Sequence, residues 1–243
     1  MAKVLDRAAF CAKNHEPAFT EFLDPYHAGA FFAALAEDTD GLQARLYGGF
    51  PEAERQMIGF WQDYDTPADE AFPIVPVRLR YDEKFAVGLT HRDFLGAALG
   101  VGITRAMLGD VLVMPGRTIL FAHADIAAYL TGALDKVARL RVTADVCPAD
   151  ELHVFTLDRP RTRLTVASLR LDAVAGAVFN LSRGQAAELI QSGKAFVNWV
   201  EAKVTTPVAA GDMLTLRGVG RVKIVEVVGE TKKDRMAILV EKY

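Results

Sequence analysis

The chain has 243 residues, of which 51% are hydrophobic and 24% are charged, and its formal net charge is -3. This balance is typical of a globular protein with a sizeable core and two or three small domains. No apolar run reaches the ~18 residues of a membrane span, and charges at Lys3, Asp6 and Arg7 break the apolar stretch that a signal peptide needs, so we expect a cytoplasmic protein without a membrane partner.

The charges are unevenly distributed along the chain. Residues 1–70 hold 5 lysines and arginines against 13 acidic residues, whereas residues 71–243 hold 23 against 18. A cationic C-terminal part is suited to a polyanion such as RNA, and the acidic N-terminal region is a candidate surface for a protein partner. The two cysteines and five histidines lack metal-ligand spacing, so we expect neither a metal nor another cofactor.

The first 70 residues are predicted to form an acidic, mainly helical region. Helical patterns cover 5–15, 25–36 and 52–60, and residues 43–47 are predicted to form a strand. The acidic, proline-containing stretch 63–70 indicates a connection to a new unit.

Residues 71–147 have the element order β-α-β-β-α-β, which predicts a ferredoxin-like domain. The predicted strands and helices, in chain order, cover 74–81, 91–99, 110–114, 117–123, 124–134 and 137–146. RNA-recognition motifs share this topology and stack bases on aromatic residues of the third strand, which here has only Phe121. Base stacking on this sheet is therefore not expected.

Residues 148–167 are predicted to be a linker or an edge strand. In an extended chain Arg159, Arg161 and Arg163 would point to one side, so the segment would extend an RNA-facing surface. The alternative is a charged, solvated connection.

Residues 168–243 open with two short predicted helices. Apolar residues recur at helical spacing from Leu171 to Val178. Ser182 can cap the next helix with Gln185 three residues later, as in a capping box, and Gly193 ends it.

Arg170 and Arg183 stand near the starts of these helices. Because a helix N-terminus favours anions, a phosphate bound between the two arginines would relieve the conflict with the helix dipoles.

Beyond Asn198 the predicted elements are strands. They cover 213–217, 221–225 and 236–240, and basic turns lie at 217–221 and 231–235. Trp199 has two interpretations, packing in a turn or core and stacking on a base.

The C-terminal pattern resembles the RNA-binding domain named after ribosomal protein S4. The residues that carry this resemblance are Arg170, Leu171 and Asp172, then Ser182 and Arg183, then Leu189, Ile190, Gly193, Lys194, Val197 and Asn198. Most of the chain also resembles the bacterial YlmH family, strongly from about Thr90 and loosely before Phe50. That resemblance rests on 91–100, 109–113, 217–221, 229–235 and Tyr243.

The family resemblance implies a function that composition alone does not. It implies a non-enzymatic protein that binds ribosomal RNA and tRNA on the large ribosomal subunit and acts in the rescue of stalled nascent chains. We predict Arg183 and Lys194 as the first RNA contacts. The full predicted set is Arg170, Ser182, Arg183, Gln185, Lys194, Asn198, Arg217, Arg221, Lys223, Lys232, Lys233 and Arg235.

Two other functions stay open. Members of the family are linked to cell division, so the chain could be a division-associated adaptor. Pseudouridine synthases attached to S4-type domains use an aspartate within an Arg-Leu-Asp motif, so Asp93 and Asp172 are the residues to test for catalysis. We predict no catalytic residue, because Asp93 suits the first turn of a helix and Asp172 belongs to the helical module.

Overall fold

The computed structural model describes residues 2–35, 41–51, 53–148, 161–230 and 235–242. The chain divides into two compact units, Met1–Phe155 and Thr156–Tyr243, which we call the first and second units. Within the described ranges it is a mixed protein with six α-helices and several antiparallel sheets. None of the helices in these ranges combines the length and apolar character of a membrane span. The domain boundaries proposed from the sequence at 70, 147 and 167 stay predictions.

The N-terminal part of the first unit is built around a small sheet. Its elements are α1 (Ala2–Asn14), β1 (Ala18–Phe19), α2 (Pro25–Leu35), β2 (Leu42–Tyr47) and β3 (Met57–Gln62), and the strand order is β1-β3-β2. The prediction of a helix over 52–60, and with it of a mainly helical region, is wrong. Every residue of β3 is buried, and a short, continuous apolar run has no periodicity that separates a buried strand from a helix.

The rest of the first unit contains a four-stranded antiparallel sheet of order β5-β6-β4-β9. Its elements are β4 (Ile74–Arg80), α3 (His91–Gly100), β5 (Leu108–Met114), β6 (Arg117–His123), α4 (Ala124–Ala133), β7 (Lys136–Val137), β8 (Leu140–Arg141) and β9 (Thr143–Val146). The single strand predicted over 137–146 is wrong. Ala138, at φ 51°, turns the chain into the β7-β8 hairpin, and β9 alone joins the sheet.

The two faces of this sheet are covered differently. Helices α3 and α4 pack on the face that holds Val77 and Leu120. On the other face the ring of Phe121 lies 4.9 Å from the ring of Phe50 and is 1% exposed. Gly49, at φ +99°, lies so close to Phe121 that a Cβ atom there would collide with the ring. Phe121 is therefore closed to a nucleobase, in agreement with the expectation from its sequence context.

The second unit is a six-stranded antiparallel sheet with two helices on one face. Its strand order is β10-β15-β14-β13-β11-β12. The elements are β10 (Arg161–Val166), α5 (Leu171–Val178), α6 (Arg183–Gln191), β11 (Ala195–Val197), β12 (Val200–Glu201), β13 (Met213–Leu216), β14 (Gly220–Glu230) and β15 (Met236–Lys242). Residues 161–166 thus form an edge strand, which is one of the two structures predicted for the segment 148–167. Arg159 lies outside the described residues.

Alternation along the strands separates a core face from an outer face. Leu214, Leu216 and Val222 are buried in the core cluster that also contains Val174 and Ile190 of the two helices. Residues between these strand positions, such as Thr215 and Arg221, therefore point to the face away from the helices.

Candidate nucleic-acid interface

The start of α6 has the capping geometry that its sequence predicts. The backbone N–H of Gln185 donates to Ser182 Oγ at 3.2 Å, and the backbone N–H of Ser182 donates to Gln185 Oε1 at 2.9 Å. This capping box uses both side chains to satisfy backbone donors, so Ser182 and Gln185 hold the helix that presents Arg183. They are also exposed, and their direct contact with RNA stays a prediction.

Arg170 and Arg183 meet on one buried carboxylate, in what we call the Asp172 cluster. Arg183 Nε donates to Asp172 Oδ2 at 2.7 Å, and Arg170 Nε donates to Asp172 Oδ1 at 3.1 Å. The side chain of Asp172 is 4% exposed, whereas those of Arg170 and Arg183 are 42% and 59% exposed. The anion expected between the arginines is thus supplied by the chain itself, and a phosphate is not needed to relieve the helix dipoles.

The pKa of Asp172 reflects this environment. Burial alone would raise it, but the hydrogen bonds and charges of Arg183 and Arg170 outweigh that effect and lower the pKa below its usual value. The cluster therefore keeps one negative and two positive charges near neutral pH. Each guanidinium has five N–H donors, and Asp172 occupies only some of them, so both arginines can still bind an external phosphate.

Lys194 follows the end of α6. Gly193, at φ +71°, donates its backbone N–H to Ile190 O at 3.1 Å, and the Lys194 N–H donates to Leu189 O at 3.2 Å. These two bonds form a Schellman motif, as the glycine predicts. The motif places the exposed Lys194 side chain at the opposite end of α6 from Arg183.

Asn198 and Trp199 form the two-residue turn between β11 and β12. Val197 pairs with Val200, and both turn residues have positive φ, 48° and 65°, as in a type I′ turn. The Asn198 amide donates to Asp212 Oδ1 at 2.8 Å and accepts from the Met213 N–H at 2.9 Å. Asn198 therefore has a structural task in the turn, and any RNA contact comes in addition to it. Trp199 thus lies in the turn, and the stacking of its ring on a base stays a prediction.

The predicted contacts on the strands lie on the outer face of the second unit. The register places Phe196 opposite Thr215 and Thr215 opposite Arg221. Arg217 continues β13, and its Cζ lies 4.2 Å from the centre of the Phe196 ring. Lys223 is on the same face, opposite Met213 on one side and Glu241 on the other. Arg217, Arg221 and Lys223 are thus near neighbours on a different face of the sheet from the helices.

Three predicted residues belong to the region before β15. Arg235 donates from Nη2 to the Thr165 carbonyl at 2.9 Å, so it joins β10 to the start of β15. Lys232 and Lys233 lie outside the described residues.

Three side chains of the candidate interface are absent from the sequence-based set. Asp172 was assigned to the helical module but not identified as the anchor of two arginines, although its place between them in the sequence points to that role. Thr215 lies near Arg217 and Arg221 in the sequence, but Phe196 becomes their neighbour only through the register of β11 with β13, which short patterns do not specify.

Asp93, one of the two aspartates considered for catalysis, has a structural role. Both the backbone N–H and the hydroxyl of Thr90 donate to Asp93 Oδ2, at 2.7 and 2.8 Å, so Asp93 caps α3. The same bonds lower the pKa of Asp93. Within the ranges that the structure describes, no group of three or more histidine, cysteine or acidic side chains could hold a metal ion.

Comparison with known proteins places the chain in a family. Residues 1–64 match the family model "YlmH, N-terminal", and residues 67–151 match "Putative RNA-binding domain in YlmH". The chain is 33% identical over 224 residues to the "Ribosome-associated protein quality control protein P2" of Bacillus subtilis (strain 168), across 92% of this chain and 86% of that protein. The chain belongs to the YlmH family.

A solved structure supports the same relationship. The "Cell division protein ylmH from Streptococcus pneumoniae" superimposes with a TM-score of 0.52 at 25% identity, and the match covers 62% of this chain and 90% of that one. The matched RNA-binding model of the YlmH family covers the middle sheet of the first unit, whereas the Asp172 cluster lies in the second. Because Phe121 is buried, RNA bound by the middle sheet would have to contact another of its surfaces.

Proposed function

We propose that this chain is a non-enzymatic, cytoplasmic RNA-binding protein that acts on the large ribosomal subunit, where it binds ribosomal RNA and tRNA in the rescue of stalled nascent chains. The name of the Bacillus subtilis relative supports the ribosomal setting and the quality-control role. The name of the matched family model supports RNA binding. The middle sheet is proposed to be a ferredoxin-like domain and the second unit an S4-type domain.

The Asp172 cluster is the observation that carries this proposal. One buried carboxylate fixes the direction of two partly exposed guanidinium groups at the starts of two helices. Lys194 adds an ammonium group at the far end of α6, one helix length from Arg183. Guanidinium groups held in this way bind phosphates of a structured RNA with little loss of side-chain entropy.

The test compares binding of purified large ribosomal subunits and of a structured RNA across a range of salt concentrations. The double variant Arg183→Ala/Lys194→Ala should weaken both interactions and flatten the slope of log affinity against log salt by about one to two. Lys3→Ala/Lys13→Ala removes the same number of positive charges from exposed positions of α1, outside the matched RNA-binding model, and should leave both interactions unchanged.

Stability must be measured alongside affinity, because Arg183→Ala also leaves Asp172 with one partner fewer. A folded double variant with unchanged affinity and slope would remove this surface from consideration. Crosslinking in cells, followed by sequencing of the attached RNA, should then give fragments of large-subunit ribosomal RNA and tRNA that disappear in the double variant. Scattered fragments in the wild type would contradict the ribosomal role.

The second candidate function is a division-associated adaptor whose partner binds the acidic N-terminal region. The name of the Streptococcus pneumoniae structure and the excess of acidic residues before Ala71 favour it. Since Arg55 joins this region to the middle sheet through hydrogen bonds to Leu108 and Phe22, a deletion would disturb the whole first unit. Reversing the exposed charges of Asp6, Glu16 and Asp63 to lysine is a cleaner test. Loss of partner capture with unchanged RNA affinity would favour the adaptor.

A further inference from the structure

Phe196, Thr215 and Arg221 form a row across β11, β13 and β14, which we call the outer-face row. The register sets each residue directly opposite the next. Leu214 and Leu216 on either side of Thr215 are buried in the helical core, so the row points away from the helices. It is therefore a different surface from the Asp172 cluster.

The row combines an aromatic ring with an unpartnered hydroxyl. The guanidinium carbon of Arg217 lies 4.2 Å from the centre of the Phe196 ring, in the position that a stacked planar group would take. Beside it, Thr215 Oγ1 is shielded from solvent and has no hydrogen-bond partner among the described residues. A buried hydroxyl without a partner is disfavoured, and its place between a ring and several cations points to a polar ligand.

We infer that the outer-face row binds one unpaired RNA base. The base replaces the Arg217 guanidinium on the Phe196 ring, and the released guanidinium contacts a neighbouring phosphate. The same movement opens Thr215 Oγ1, which is shielded in the free protein, so that it hydrogen-bonds the base or its ribose. Lys223 on the same face adds positive charge for the backbone. This inference rests on the proposed RNA-binding function and adds to it a site for single-stranded nucleotides.

The exchange explains why an arginine and not a lysine lies over Phe196. A guanidinium is planar and stacks as a base does, so it keeps the ring covered when RNA is absent. When it moves to a phosphate it makes a charge-assisted bond, while the base restores the stacking on the ring.

The test uses the full chain and two fluorescent RNAs, a stem-loop with an oligoadenosine loop and the blunt duplex of the same stem. Thr215→Val removes the hydroxyl with little change in shape, and Thr215→Ser keeps it. Phe196→Leu removes the ring, and Phe196→Tyr keeps it. We expect the valine and leucine variants to bind the stem-loop about fivefold more weakly, whereas the duplex affinity is unchanged and the serine and tyrosine variants match the wild type.

The outcomes separate this site from the proposed function. Equal loss for stem-loop and duplex, or wild-type affinity in the folded valine and leucine variants, would overturn the base site. If Arg183→Ala/Lys194→Ala still weakens the binding of both RNAs, the proposed function stands even though the base site is overturned. A wild-type chain that binds neither RNA would overturn both. Melting temperatures of the four single variants show whether each is folded, and Thr215→Val should not lower the melting temperature, because its hydroxyl has no partner in the free protein.

Discussion

Arg183 Nε donates to Asp172 Oδ2 at 2.7 Å and so joins the first turn of α6 to the first turn of α5. Arg170, the residue before α5, shares the same carboxylate. Arg183, which contacts RNA in the proposed function, therefore also holds the two helices together. Any substitution at Arg183 alters stability and binding together, and the two effects need separate measurements.

Asp172→Asn should lower the free energy of unfolding by about 2 kcal/mol, because it removes a buried charge from two arginines. The exposure of both arginines keeps the loss below that of a fully buried ion pair. Denaturant unfolding of the full chain measures the change. Glu188→Gln alters an exposed carboxylate on α6 and should change the free energy of unfolding by less than about 0.5 kcal/mol. Equal effects of the two substitutions would contradict the anchoring role of Asp172.

The same carboxylate should make stability depend on pH. The pKa of Asp172 is lower in the folded chain than its usual 3.8, so the native state holds the proton less tightly than the unfolded state does. Its contribution is complete only about one pH unit above the unfolded value of 3.8, and it is lost as the pH falls through that value and then through the folded pKa. The stability difference between wild type and Asp172→Asn should therefore shrink between pH 5 and about pH 2. A difference that stays constant over this range would contradict the lowered pKa.

Arg55→Lys should destabilise the first unit by about 2 kcal/mol. Arg55 donates to the carbonyls of Leu108, Phe22 and Arg105 at 3.0, 3.0 and 3.2 Å, and burial lowers its pKa. A lysine cannot direct donors to three carbonyl groups at these positions. Arg92→Lys, at an exposed position of α3, serves as the control in thermal unfolding. Similar melting temperatures for both variants would show that the three bonds contribute little.

A glycine at position 199 should relieve the backbone strain in the turn between β11 and β12. Trp199 has φ +65°, which is strained for a bulky residue but ordinary for glycine in a type I′ turn. We expect Trp199→Gly to be more stable than Trp199→Ala by about 1 kcal/mol, because both lose the ring and only alanine keeps the strain. Thermal unfolding of the two variants gives the comparison. An alanine variant as stable as the glycine variant would contradict the strain.

The elements that can be predicted from sequence are those whose ends are marked by capping residues or by a terminal glycine. Ser182, Gln185 and Gly193 specify the start and end of α6 through bonds within a few residues, so the helix was predicted at nearly its observed bounds. The strand β3 has no such marks. Its buried run from Met57 to Gln62 suits a helix or a strand equally, and its sheet partners, rather than its own sequence, decide between them.

The candidate site was only partly predictable for a similar reason. Arg170 and Arg183 are visible as cations near helix starts, but their common partner Asp172 depends on how α5 and α6 pack. Phe196 is distant from Thr215 and Arg221 in sequence and meets them only through the pairing of β11 with β13. Local patterns identify the charged residues, and tertiary structure decides which of them act together.

Among the described residues, the six-stranded sheet ends on one side at the edge strand β10, which holds Arg161 and Arg163 two residues apart. In general, an edge strand can offer backbone groups that an extended, unfolded chain could join as an additional strand. Charged side chains make that addition unfavourable unless the incoming strand brings acidic residues to meet them. At this edge, a protein proposed to work beside incomplete nascent chains would thereby avoid capturing them.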